Sequence, residues 1–104
     1  MNTLITAATS AEAHRLKKQL EPAEIILGDY EDIPAFMLGA GMIKLPNPQS
    51  PAYAHEMLTL CLDKQINLIY PLRGLELNIL RQAKQLFSEY GIKIVSHPPM
   101  KTSR

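Results

Sequence analysis

Residues 3–12 read TLITAATSAE, a short apolar and β-branched run followed at once by small residues. The run at residues 3–6 predicts a first β-strand. Thr9 and Glu12 have the spacing of a capping box, in which a hydroxyl and a carboxylate each bind a backbone N–H that the first helical turn leaves unpaired. We therefore predict a helix that begins at Thr9 and ends before Pro22, since proline cannot continue a helix.

The rest of the chain alternates between strand-like and helix-like segments. Apolar runs predict four further strands, at residues 24–27, 42–45, 66–70 and 92–95. Apolar positions at helical spacing predict one helix from residue 50 and another over residues 75–90, while residues 30–41 are irregular with at most one helical turn at residues 35–38. This alternation predicts an α/β fold with a mostly parallel five-stranded sheet and helices on both faces. The commonest strand order for it is three-two-one-four-five.

Composition limits the size, the partners and the compartment. The chain has 104 residues, 46% of them hydrophobic, with 11 basic and 10 acidic side chains, which suits one domain with its own core. We assign residues 1–96 to this domain and residues 97–104 to a tail. A net charge of +1 offers no basic surface to nucleic acid or to an anionic membrane. The single Cys61 and the lack of a secretory signal indicate a cytoplasmic protein without a membrane span.

Polar and small residues follow several of the predicted strands. In a parallel sheet, ligands bind beyond the carboxyl ends of the strands, so these residues are the candidate binding site. They are Ala8, Thr9, Ser10, Asp29, Arg73 and Glu76. The free N–H groups at the start of the first helix are able to receive a phosphate or a carboxylate. The alternative is that Thr9 is only an N-cap.

The loop after the fourth strand, residues 71–76, is the most informative one. It places Arg73 at a strand-to-helix junction, where a guanidinium binds a carboxylate or a phosphate through two parallel hydrogen bonds. The alternative is that Arg73 is solvated and that Glu76 only favours the helix start. The residues alone leave these two hypotheses equal.

Familiar nucleotide and metal motifs are missing from the sequence. The first turn lacks the glycines of a dinucleotide-binding turn, so Asp29 alone is a weak sign of a ribose-binding acid, and no P-loop occurs. His14, His55 and His97 fall in different segments, which predicts no metal site. Helical spacing places Cys61 in the core, so no catalytic residue is assigned.

The order of these segments resembles the N-terminal pre-ATP-grasp domain of ATP-grasp ligases, a family that includes carbamoyl-phosphate synthase large-subunit-like proteins. The resemblance rests on the opening strand and its turn, on Gly28-Asp29, and on residues 67–77 and 85–94, and it covers nearly the whole chain. It implies a Rossmann-like three-layer sandwich. In the first turn, alanines stand where the family often has glycines.

The resemblance also implies a function. Such a domain forms the substrate-side wall of a carboxylate-amine ligase and is not catalytic alone, because ATP and magnesium bind further lobes, supplied in cis or in trans. No cofactor is then expected in this domain. The turn at Ala8 to Ser10, Asp29, Arg73 and Glu76 would border the cleft between the lobes.

Two other hypotheses remain open. The first is a stand-alone module of the same fold that binds a small carboxylate or phosphate or forms a homodimer. The second is a nucleotide-binding regulator that uses Asp29. A reading frame that continues past Arg104 with ATP-lobe motifs would favour the ligase domain, whereas a stop codon there would favour the module.

Overall fold

The computed structural model describes residues 2–21 and 24–96. The described residues form five strands and five helices. The strands are β1 (Asn2–Ile5), β2 (Ile25–Asp29), β3 (Ile43–Lys44), β4 (Ile66–Tyr70) and β5 (Lys93–Ile94). The helices are α1 (Ala11–Leu20), α2 (Ala35–Gly39), α3 (Tyr53–Asp63), α4 (Gly74–Gln82) and α5 (Lys84–Glu89). The predicted tail, residues 97–104, lies outside the described residues.

The five strands form one parallel sheet in the order β3-β2-β1-β4-β5. This confirms the predicted α/β class and the predicted strand order. β1 lies in the centre and pairs with β2 on one side and β4 on the other. The carboxyl ends of these three strands therefore meet at one edge of the sheet, which we call the carboxyl edge.

Two apolar cores cover the two faces of the sheet, as expected for a three-layer sandwich. On one face, Leu4 and Ile69 of the sheet pack against Met57 of α3 and Phe87 of α5. On the other face, the sheet packs against Leu16 and its neighbours on α1. Among the described residues, no helix is long and apolar enough to cross a membrane.

Three helix boundaries differ from the prediction. α1 begins at Ala11 rather than at Thr9, because Ser10 is the N-cap and its hydroxyl accepts from the Ala13 N–H at 3.2 Å. The helix predicted from residue 50 begins at Tyr53, after a short turn. The single helix predicted over residues 75–90 is two helices, since Ala83 donates its N–H to Leu80 O, three residues back, in the tighter turn that ends α4.

Gly28 allows β2 to lie close to the segment that follows β3. A β-carbon at this position would lie 2.8 Å from Leu45 Cδ2 and 3.1 Å from Ile43 Cγ1, closer than ordinary van der Waals contact. The missing side chain therefore allows β2 to pair closely with β3 next to Asp29, the last residue of β2.

Candidate functional site

The carboxyl edge brings together the loops that follow β1, β2 and β4. Asp29 and Arg73, which are 44 positions apart in the chain, are joined by a hydrogen bond of 2.9 Å between Arg73 Nη2 and Asp29 Oδ2. The prediction that they share one edge of the sheet is thus confirmed by their contact. Thr9 lies between them, since its hydroxyl also accepts from Arg73 Nη2 at 3.4 Å.

The Asp29 carboxylate is fully buried and receives five hydrogen bonds. Oδ1 accepts from the Glu31 N–H and from Arg73 Nε, both at 3.1 Å. Oδ2 accepts from the Thr9 N–H at 3.1 Å, the Thr9 hydroxyl at 2.7 Å and Arg73 Nη2 at 2.9 Å. We call these five donors the Asp29 cradle.

The hydrogen bonds of the cradle set the charge of Asp29 and of Arg73. Burial alone would raise the pKa of Asp29, but the hydrogen bonds from Arg73, Thr9 and Glu31 outweigh it and lower the pKa. The hydrogen bond to Asp29 raises the pKa of Arg73. The two side chains therefore form an ion pair at neutral pH. The guanidinium also lies over the ring of Tyr30, 5.4 Å from its centroid, where a cation–π attraction holds it further.

Of the three residues predicted in the first turn, only Thr9 belongs to the cradle. Ala8 is buried, and its carbonyl bonds to His14 Nε2 at 2.9 Å. The Ser10 hydroxyl donates to Ala7 O at 2.7 Å and accepts from the first turn of α1, so it is used inside the turn. Ala7 has a φ of 57°, in the left-handed region that favours glycine. Ala7 therefore occupies a backbone conformation that suits glycine better than alanine.

Glu76 lies below the cradle, inside the protein. We expected Glu76 to favour the start of α4. It makes no capping hydrogen bond there, because α4 has no side-chain cap and Glu76 is fully buried. Its Oε2 accepts from the Tyr53 hydroxyl at 3.4 Å, and no described residue hydrogen bonds Oε1. Burial, together with the charge of Asp29, raises the pKa of Glu76 to about 7, although Thr6, Arg73 and Tyr53 lower it in part.

Sequence reasoning missed Thr6 and Tyr53. The Thr6 hydroxyl accepts from the Leu72 N–H at 2.8 Å and so ties the end of β1 to the loop after β4. A threonine ending an apolar strand was an available signal for this contact. Tyr53 faces the core at the start of α3, where burial and the nearby Glu76 raise the pKa of its hydroxyl. Nothing in the sequence signalled that Tyr53 has a polar partner.

The carboxyl edge presents one partly exposed cationic side chain above two buried acids. Asp29 is held as an anion by its five bonds, and Glu76 has no exposed surface. Arg73, whose side chain is 28% exposed, uses Nε and Nη2 within the cradle. Its Nη1 makes no hydrogen bond to a described residue and remains able to donate to a ligand.

Other reactive groups of the described chain lie elsewhere. Cys61 is buried in the core on α3, as its spacing predicted, and burial raises the pKa of its thiol to about 12. Over residues 2–21 and 24–96, no group of three histidine, cysteine, aspartate or glutamate side chains is placed to hold a metal ion. His97 lies outside the described residues.

A family model described as the PylC-like, N-terminal domain matches residues 4–95. The chain belongs to this family. The PylC-like N-terminal domain is the pre-ATP-grasp domain of ATP-grasp ligases, so the resemblance predicted above is confirmed. No curated protein matches the chain. The PylC-like N-terminal domain belongs to a larger ATP-grasp architecture.

Proposed function

We propose that this domain forms the substrate-side wall of the cleft in a cytoplasmic ATP-grasp carboxylate-amine ligase related to carbamoyl-phosphate synthase. The observation that supports the proposal is the family match over residues 4–95, joined to an edge where three strand-end loops hold one partly exposed arginine. ATP and magnesium bind to further lobes, in cis or in trans. The domain itself holds no cofactor and carries out no catalytic step.

Arg73 is the residue that contacts the substrate in this proposal. Its Nη1 donates to a carboxylate or phosphate of the substrate, while the rest of the guanidinium is fixed by Asp29 and Thr9. Ala8 and Ser10 shape the wall behind it through the turn that positions Thr9. Glu76 supports the wall from the interior.

Titration calorimetry of the 104-residue chain with ATP and magnesium tests the first half of the proposal. We expect no heat of binding and no release of phosphate, because the nucleotide contacts belong to the other lobes. Saturable binding of ATP, or its hydrolysis by the pure chain, would contradict the assignment.

Substrate binding is tested in the ligase that joins this domain to its ATP-grasp lobes. ADP release is measured with a panel of small carboxylates and amines. Arg73→Ala is expected to raise the KM of the active carboxylate by roughly tenfold or more, the loss of one charge-assisted hydrogen bond, and to leave the KM of ATP unchanged. Arg81→Ala, on the exposed side of α4, is the matched control. An equal rise in both KM values would count against a wall on the substrate side.

A stand-alone module that forms a homodimer is the second candidate, and one observation favours it. Phe36 of α2 is 75% exposed, and a second copy of the domain would bury this large apolar side chain. Sedimentation of the chain separates the two candidates. A dimer that Phe36→Ser converts to a monomer would support the module, and a monomer at every concentration would support the ligase domain.

A further inference from the structure

The donors around Asp29 are those with which proteins bind a free anion. Two are backbone N–H groups from different loops, one is a hydroxyl, and two are N–H groups on one edge of a guanidinium. Backbone N–H groups that converge on one point form anion-binding concavities, and an arginine fork matches the two oxygens of a carboxylate. Thr9 also lies immediately before the capped start of α1, where the helix dipole favours negative charge.

The bound anion here belongs to the chain itself. A carboxylate offers about four lone-pair positions, and Asp29 already receives five hydrogen bonds. It has no acceptor capacity left for a ribose hydroxyl, which removes the physical basis for a nucleotide regulator that uses Asp29. Because Asp29 is tethered at the end of β2, its effective concentration at the cradle is far above that of a free anion.

We propose that the carboxyl edge contains an anion-binding site that is occupied by the chain's own Asp29 carboxylate, so that free carboxylates and phosphates are kept out of it. A ligand anion then meets only the outer Nη1 of Arg73. The same donor set, once Asp29 is removed, accepts one small carboxylate. This inference concerns contacts within the chain and does not depend on the ligase role.

Chemical rescue of Asp29→Ala tests the proposal. The substitution removes a carboxylate group and keeps the β-carbon, so formate has the size of what is lost. Thermal unfolding of the variant is followed in sodium formate and in sodium chloride of equal ionic strength. At about 100 mM formate we expect the Tm of the variant to rise by roughly 5 °C relative to chloride, through binding to the folded state. Acetate is expected to act less, because its methyl group meets the retained β-carbon.

The double variant Asp29→Ala with Arg73→Ala is the matched control. It lacks the guanidinium fork, so its Tm should not respond to formate, and neither should that of the wild-type chain. A formate response of the same size in the double variant would show that the ion acts elsewhere and would overturn the proposal. So would an Asp29→Ala variant that unfolds identically in formate and in chloride.

The wild-type chain gives a second measurement that does not depend on the folding of any variant. Backbone amide resonances of Thr9 and Glu31 are followed while inorganic phosphate is added. The resonance of the Asp29 side-chain carboxyl carbon is followed in the same titration. We expect no saturable shift of this carbon, because Asp29 already occupies both amide donors. A saturable shift of the carbon together with both amides would mean that a free anion displaces Asp29 from the cradle, and the proposal would be wrong.

Discussion

Asp29 and Glu76 are two fully buried carboxylic acids near the same edge of the sheet, but their surroundings are opposite. Asp29 receives five hydrogen bonds and pairs with a guanidinium. Glu76 receives one long bond from Tyr53, and its Oε1 has no partner among the described residues. The pKa of Asp29 is lowered and that of Glu76 is raised to about 7. The lack of exposed surface therefore does not by itself fix the pKa of a carboxyl group. The donors around Asp29 outweigh its desolvation, whereas desolvation is the largest cause at Glu76.

The difference comes from where each residue lies in its element. Asp29 is the last residue of β2, where the N–H groups of the following loops point outward and converge on its side chain. Glu76 lies in the first turn of α4, the position from which a glutamate usually reaches back to the N-cap N–H. Here it packs inward toward Tyr53 instead. The site thus has a charged outer layer and an inner acid that is neutral over part of the physiological range.

Arg73→Ala is expected to have the largest effect, because it leaves Asp29 charged and buried without its cation. Removing one member of a buried ion pair costs about 3 kcal/mol or more, which urea denaturation at pH 7 measures as a loss in the free energy of unfolding. Arg81→Ala removes an exposed arginine from α4, the helix that follows Arg73, and should change the free energy of unfolding by less than about 0.5 kcal/mol. Similar small losses in both variants would show that Asp29 keeps its charge without Arg73.

The pH dependence of stability distinguishes the two acids. Glu76 has a folded pKa of about 7 against an ordinary value of 4.5, so the folded chain holds its proton to a higher pH than the unfolded chain does. Its contribution is complete below pH 4.5, decreases as the pH rises, and is lost above pH 7. The loss is about 3 kcal/mol. Asp29 has the opposite sign, because its contribution is present above pH 3.8 and is lost as the pH falls through its lowered pKa.

Urea denaturation at a series of pH values from 5 to 8 checks this expectation. The wild-type chain should lose stability over that interval, whereas Glu76→Gln, which cannot ionise, should show a much smaller slope. If stability falls with pH equally in both proteins, another group is responsible for the decrease, and the pKa of Glu76 is not raised as expected.

The fold was predictable because each of its signals is local. The apolar runs and their turns give the strands, and the alternation with helices gives a parallel sheet in which Asp29 and Arg73 must share an edge. The partner of Thr9 was not predictable in the same way. Its spacing to Glu12 fits a capping box, but the adjacent Ser10 takes the cap and leaves Thr9 for Asp29, 20 positions away. The inward direction of Glu76 is likewise set by tertiary packing.

Thr9→Val tests how much one donor of the cradle contributes. Valine keeps the shape and the backbone N–H but removes the hydroxyl that donates to Asp29 Oδ2 at 2.7 Å. A hydrogen bond to a charged group contributes about 1.5–3 kcal/mol, and since four donors remain we expect a loss near the lower end, in urea denaturation at pH 7. The control is Thr59→Val, whose exposed hydroxyl bonds only to His55 O in its own helix. A loss no greater than that of the control would mean that the cradle does not need this hydroxyl.

Tyr53→Phe is expected to have the smallest effect on stability, and it changes the surroundings of Glu76 rather than those of Asp29. The Tyr53 hydroxyl lies 3.4 Å from Glu76 Oε2, well beyond the usual length for such a bond, so its loss should cost about 0.5 kcal/mol or less. It is nevertheless the one bond to a carboxylate oxygen of Glu76 among the described residues, and it favours the ionised form. Removing it should raise the pKa of Glu76 further and move the stability decrease to higher pH. The control is Tyr90→Phe, at an exposed side chain, which should leave the midpoint pH of the decrease unchanged. A midpoint that stays in place in Tyr53→Phe would show that the Tyr53 hydroxyl does not contribute to the pKa of Glu76, which burial and the charges of Asp29 and Arg73 would then set without it.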